Sequence, residues 1–181
     1  QRHLAAAAHL QAVTDPGGDL AVVVAQHLLD ALEASTSGDP DYADIRRRAC
    51  AELDRAATRA KRLGALAEEY RLLATAIPLT DDPALRAALL ERSATATADD
   101  SLNPESIELA RESAEIWEGL GRPVEAGVSR GREALSLLAC GQPEAAIELA
   151  EREWQRLVDV PDSQAALLSL SRPLANGYRV L

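Results

Sequence analysis

Apolar residues recur along this chain every three or four positions, in blocks separated by glycine, proline and short polar runs. Ile45, Ala49, Leu53, Ala56, Ala60 and Leu63 form the clearest block. That spacing places them on one face of an α-helix. Leu20, Val23, Val24, Leu28, Ala31 and Leu32 nearly encircle their segment, the mark of a well-buried helix. The breakers give the ends. Asp15-Pro16-Gly17-Gly18, the run from Ser35 to Pro40, Gly64, Pro78, the run from Asp99 to Pro104, Gly119-Leu120-Gly121, Gly141 and Pro161-Asp162-Ser163 read as stops or turns. Asp19 and Asp82 stand as N-caps, and Pro83, Pro104 and Pro143 as first-turn prolines. The pattern predicts helices over about residues 2–13, 19–35, 41–63, 65–77, 82–98, 103–118, 123–139, 143–158 and 163–181, the last with a break or kink near Pro173. The only β-branched run, Val22-Val23-Val24, lies inside a helical pattern, so the expected class is all-α.

One unit is written several times. Leu63 to Tyr70, Ser101 to Ala110 and Gly141 to Ala150 share a turn followed by an amphipathic start. The last two share Pro-Glu and then Ile-Glu-Leu-Ala. The turn residues Gly64, Ser101 and Gly141 are 37 and 40 residues apart. A period in this range marks stacked helical hairpins, and short connections force antiparallel neighbours. The expected architecture is a right-handed α-solenoid of about eight or nine helices. Residues 1–38 would form an N-terminal helical pair packed on the solenoid. Residues 39–181 would hold the repeats, at about 41–80, 81–121, 122–160 and an incomplete unit at 161–181. In that register the final helix is the first half of a hairpin, with Leu167, Leu168, Leu170, Leu174 and Tyr178 partly uncovered and a homodimer through that end expected.

Composition narrows the class. Apolar residues are 47% of the chain but aromatics only 3%, so alanine and leucine supply the core. A net charge of −10 lacks the basic footprint that nucleic-acid binding needs. The basic run from Arg46-Arg47-Arg48 to Arg62 reads as a solvated helix face. No apolar run is long enough for a membrane span, and no signal peptide is visible, so a cytoplasmic location is expected. Cys50 and Cys140 are 90 residues apart without a Cys-x-x-Cys. This spacing favours two thiols, a disulfide being the alternative. The absence of methionine points to an excised piece of a longer protein. Eighteen arginines against the single Lys61, with abundant alanine, point to a GC-rich genome.

Arg59 to Ala65, Glu68-Glu69-Tyr70-Arg71-Leu72-Leu73 and Leu79 to Pro83 together resemble a tetratricopeptide repeat (TPR). In that family the turn glycine corresponds to Gly64, and the alanine that packs the second helix corresponds to Ala146. The resemblance covers about residues 41–160. It departs from the family pattern in period, since the usual one is about 34 residues. It departs also at Leu137 and Ala60, where an aromatic is usual, and at Glu69 and Ser106, where the small alanine is usual. The segment from Val24 to Leu32 is similar to one found between the ATPase module and the repeats of large actinobacterial signalling proteins, among them class III adenylate or guanylate cyclases and transcriptional regulators. That resemblance implies a regulatory, protein-binding region whose catalytic parts lie elsewhere in the parent protein.

The residues themselves spell out no catalytic site. His3, His9 and His27 show no metal-ligand spacing, so neither metal nor cofactor is expected. Asp99-x-Ser101-x-Asn103 opens like a calcium loop but carries Pro104 and Ala110 where glycine and glutamate belong. Glu105, Glu108, Glu112 and Glu115 lie at helical spacing on an expected wet face, and Trp117 and Trp154 are expected to pack between repeats. One pattern stands out. Nine residues before each turn residue stand Arg55, Arg92 and Arg132, with Arg172 one further period along. With Thr58, Arg62, Glu91 and Thr95 they form a candidate partner-binding face on the first helices. Guanidinium groups there suit acidic peptides through bidentate hydrogen bonds, although pairing of Arg55 with Glu52, or of these arginines with Glu91, would serve structure alone. The expected function is a non-catalytic protein- or peptide-binding scaffold in a signalling protein. The alternative is a spacer or oligomerisation element relaying state between an ATPase and an effector domain.

Overall fold

The breaker-bounded blocks all fold as helices. A computed structural model describes residues 2–12, 20–97 and 104–180, and among them there is no strand. The elements are α1 (Arg2–Gln11), α2 (Ala21–Glu33), α3 (Tyr42–Arg62), α4 (Leu66–Ala76) with a 3-10 turn at Ile77–Leu79, α5 (Pro83–Thr97), α6 (Glu105–Gly119), α7 (Pro123–Ala139), α8 (Pro143–Leu157) and α9 (Gln164–Val180). The expected cap at Asp19 and the turn residue Ser101 lie outside the described residues. No described helix is long and apolar enough to cross a membrane.

The chain forms two compact units, Gln1–Asp82 and Pro83–Leu181. In the first, α2 packs between α1 and α3, and α3 packs on α4. Ala7, Val24, Leu28, Ala31, Ile45 and Ala49 make one core there. In the second unit α6 lies against α5 and α7, while α7 also contacts α8 and α9. Ile107, Ala134, Leu137, Ala146, Leu149, Ala150, Leu157, Ala166 and Leu170 form its main core.

Three of the hairpin turns are built alike. Gly64, Gly121 and Gly141 have φ of 71°, 69° and 73°, the left-handed region that glycine enters without a Cβ penalty. After each, the next residue's N–H donates back to a carbonyl five residues earlier: Ala65 to Ala60 (2.9 Å), Arg122 to Trp117 (3.0 Å) and Gln142 to Leu137 (2.9 Å). The glycine N–H donates to Lys61, Glu118 or Leu138 (3.0 Å in each case). This double bond satisfies carbonyls that the helix end would otherwise leave orphaned.

Burial follows the repeat. Seven residues before Gly64, Ser101 and Gly141 stand Ala57, Ala94 and Ala134, all 0% exposed. Nine residues after them stand Leu73, Ala110 and Ala150, again all 0% exposed. Glu69, Ser106 and Ala146, five residues after, are buried too. Within each of these hairpins, taken by itself, the first helix keeps one face inward and the second another.

The last helix forms as expected, and no break interrupts it at Pro173. α9 runs through Pro173, which lies inside the helix and is fully buried. Proline at this position removes an N–H donor and crowds the carbonyl of Ser169. Packing of α9 on both α7 and α8 supplies the compensating contacts. The expected uncovered apolar row is correspondingly reduced: Leu170 is fully buried and Leu167 and Leu174 are half-buried. Leu168 and Tyr178 stay exposed.

Candidate functional site

The candidate arginines sit on α3, α5 and α7, the first helices of the hairpins. Arg55, Thr58 and Arg62 are exposed on α3; Glu91, Arg92 and Thr95 are half-buried on α5, as is Arg132 on α7; Arg172 is exposed on α9. Their chemistry is partly engaged within the chain. Arg55 donates to the buried carboxylate of Glu52 at 2.7 Å, and Gln11 donates to the same carboxylate at 2.8 Å. Thr95 turns its hydroxyl back to the Glu91 carbonyl, 3.0 Å away. The Glu91 carboxylate accepts from Ser129 of α7 at 3.1 Å. Ser129 meets Ser113 of α6 at 3.0 Å, and Ser113 donates to the Ala87 carbonyl at 2.8 Å. Ser129 thus ties α7 to Glu91 of α5, and Ser113 ties α6 to the Ala87 carbonyl of α5. These bonds satisfy polar groups that burial would otherwise penalise.

The basic run on α3 is tied down in the same way. Arg46 makes a two-pronged contact with Asp81 (2.9 and 3.1 Å) and also reaches the Pro78 carbonyl. Arg47 pairs with Asp44, and Arg48 donates to Gln11 at 2.6 Å.

A denser ion-pair network links α6, α7 and α8. Arg130 contacts Glu133 at 2.8 Å and Glu118 at 3.3 Å. Arg111 joins Glu133 at 2.9 Å and Glu108 at 2.8 Å. Arg156 bridges Glu153 at 2.7 Å and Glu118 at 3.6 Å. Glu133 and Glu153 are buried, so their charges rely on these partners. Burial of Arg130 works against its charge, but the hydrogen bond and charge of Glu133 and the charge of Glu118 outweigh it and hold the guanidinium above its usual value. Of the four expected wet-face glutamates, Glu105, Glu108 and Glu115 are exposed; Glu112 is half-buried and pairs with Arg86 at 2.7 Å.

Both tryptophans contribute to packing. Trp117 is buried beside Ala87 and Ala126, with the Arg122 guanidinium 4.8 Å from its ring centroid. Trp154 packs at the edge of the main core. It also lines an open groove of about 500 Å³ between α8 and α9, with Glu148, Glu151, Arg152, Leu174 and Tyr178. The Tyr178 hydroxyl donates to Glu151, and that bond raises the phenol above its usual pKa. A second open groove, of about 430 Å³, is lined by Pro104, Glu108, Arg111, Leu137 and Gln142. Cys50 and Cys140 are free thiols.

The first unit holds a cluster that residue spacing does not reveal. Nδ1 of His3 on α1 lies 3.3 Å from Nδ1 of His27 on α2 and 3.2 Å from a carboxylate oxygen of Asp30. His27 and Asp30 are three residues apart and so project from one side of α2. His3 is 24 residues away in sequence, and only the packing of α1 on α2 brings it in. The i, i+3 pairing of His27 with Asp30 was the one available signal.

No protein-family model matches this sequence, and no curated protein matches it at a significant level.

Proposed function

We propose that this chain is a tetratricopeptide-like array of helical hairpins, a right-handed solenoid that serves a larger signalling protein as a non-catalytic protein- or peptide-binding scaffold. The observation that carries the reading is the repeated burial register. Ala57, Ala94 and Ala134 share one inward position, and Leu73, Ala110 and Ala150 share another. Each of these first helices carries an arginine two residues before its inward alanine. Arg55, Arg92 and Arg132 occupy that position on α3, α5 and α7. Arginine offers a planar, five-donor fork matched to carboxylates, so the ligand class is an extended acidic segment of another protein. The Arg55 side chain is 47% exposed while it pairs with the buried Glu52 carboxylate, so an incoming carboxylate can reach its guanidinium from solvent.

Fluorescence anisotropy with acidic, neutral and basic peptides of matched length tests this. Acidic peptides are expected to bind, with affinity falling as salt rises, and the Arg55→Ala/Arg92→Ala/Arg132→Ala variant is expected to lose most of that binding. Equal binding by the three peptide classes, or an unaffected triple variant, would refute the acidic-ligand reading.

A further inference from the structure

We propose that His3, His27 and Asp30 form a binding site for a divalent transition metal of the zinc class. Two imidazole nitrogens and a carboxylate oxygen are a borderline donor set, suited to zinc and its neighbours rather than to calcium or magnesium. The distances fit. Ligand atoms about 2.0–2.1 Å from a tetrahedral zinc lie roughly 3.3 Å from one another. His3 Nδ1 is 3.3 Å from His27 Nδ1 and 3.2 Å from Asp30 Oδ2. All three donor atoms fall within 4.8 Å of one another. The cluster needs only a small adjustment to close around an ion.

The surroundings support the assignment. The Gln26 side-chain amide donates to the other Asp30 oxygen, Oδ1, at 2.8 Å. It therefore orients the carboxylate and leaves Oδ2 towards His3, the outer support that ligating carboxylates commonly have. The two imidazole rings are tilted by 53° with centroids 5.5 Å apart, so they are not stacked, and their Nδ1 atoms approach to 3.3 Å. His3 is exposed and the other two half-buried, which gives an ion a direct path from solvent. Three protein ligands leave a fourth position for water or for a donor from a bound molecule.

The site has a structural consequence. α1 has ten residues, shorter than an isolated helix that is stable in water. Its apolar contact with α2 runs through Ala7, Leu4 and Leu10. A metal bridging His3 to His27 and Asp30 would pin the first turn of α1 to α2.

The test uses the untagged full chain, stripped with a chelator and titrated with zinc chloride by calorimetry. One zinc per chain is expected. His27→Ala and Asp30→Ala each abolish measurable binding, Gln26→Ala weakens it by about tenfold, and His9→Ala, on the same short helix as His3, leaves it unchanged. Substitution with cobalt is expected to give the intense visible bands of a tetrahedral ion. Should a variant fail to fold, ring-proton NMR on the wild type decides: zinc shifts the His3 and His27 imidazole signals and leaves those of His9. No saturable binding at equimolar zinc, wild-type affinity in His27→Ala, or shifts confined to His9 would each overturn the proposal.

Discussion

Gly131 of α7 faces the backbone of Ser169 on α9 so closely that a Cβ added at position 131 would lie 2.8 Å from the Ser169 carbonyl carbon. Gly127, one turn earlier, faces Leu157 and Ala166, where an added Cβ would come within 2.3 and 2.9 Å. The pair lets the two helix backbones approach at the place where Pro173 removes the partner of the Ser169 carbonyl. A methyl group at 131 would meet the Ser169 hydroxyl first, at 2.3 Å, which could turn away only by giving up its bond to the Val128 carbonyl, and behind it the Ser169 backbone, which cannot turn away. Gly131→Ala is expected to destabilise the fold by about 1–2 kcal/mol, an overpacking cost of about 1–3 kcal/mol reduced by the helix preference of alanine, up to about 1 kcal/mol. Gly119, at the end of α6, has open space around its added Cβ. Gly119→Ala is expected to stabilise by about 0.4–1 kcal/mol. Urea denaturation of the two variants, with midpoints moving in opposite directions, checks both statements.

The buried carboxylate of Glu133 is held by Arg130 and Arg111. Replacing Glu133 with glutamine leaves the Arg130 guanidinium, whose side chain is only 13% exposed, without its main counter-charge. Breaking a buried pair from one side costs about 3–5 kcal/mol, and the remaining contact of Arg130 with Glu118 brings the expected loss to the lower end, about 3 kcal/mol. Arg130→Met/Glu133→Leu should recover much of it, because apolar groups of similar volume avoid the desolvation of both charges. Chemical denaturation of the single and double variants measures the difference.

Thiol reactivity distinguishes the two cysteines. Cys50 is buried on α3, and desolvation, with a further contribution from Asp54, raises its pKa against the opposing charge of Arg46. A raised pKa means less thiolate at any given pH, and the thiolate is the nucleophile. Cys140 is half-buried at the end of α7. Peptide mapping after brief iodoacetamide treatment at mildly alkaline pH is expected to find Cys140 labelled and Cys50 unlabelled, with Cys50 reacting only in denaturant. Equal labelling in the native protein would contradict this account of the α3 core.

Local chemistry made the helices legible. Gly64, Gly121 and Gly141 each end a helix because glycine alone enters the left-handed turn freely, and such residues can be read without knowing the packing. Pro173 is the converse case. Its local cost is real, but contacts of α9 with α7 and α8 override it, and those contacts depend on Gly127 and Gly131, 46 and 42 residues earlier in the chain. Leu170 was expected to be partly uncovered and is 0% exposed, again because α9 lies against two helices at once. The arginine positions followed from the repeat. The meeting of His3 with His27 did not, since no periodicity relates a residue on α1 to one on α2.

The proposed function rests on equivalent first-helix positions reading an acidic partner. The most direct measurement is a titration of isotopically labelled protein with an acidic peptide, followed by backbone and arginine side-chain NMR. The account predicts shifts concentrated on α3, α5 and α7, at Arg55, Thr58, Arg62, Arg92, Thr95 and Arg132, with the outer residues of α6 and α8 such as Glu115 and Glu148 unmoved. Shifts confined to α8 and α9, around Trp154 and Tyr178, or no saturable shift with any acidic sequence, would contradict it.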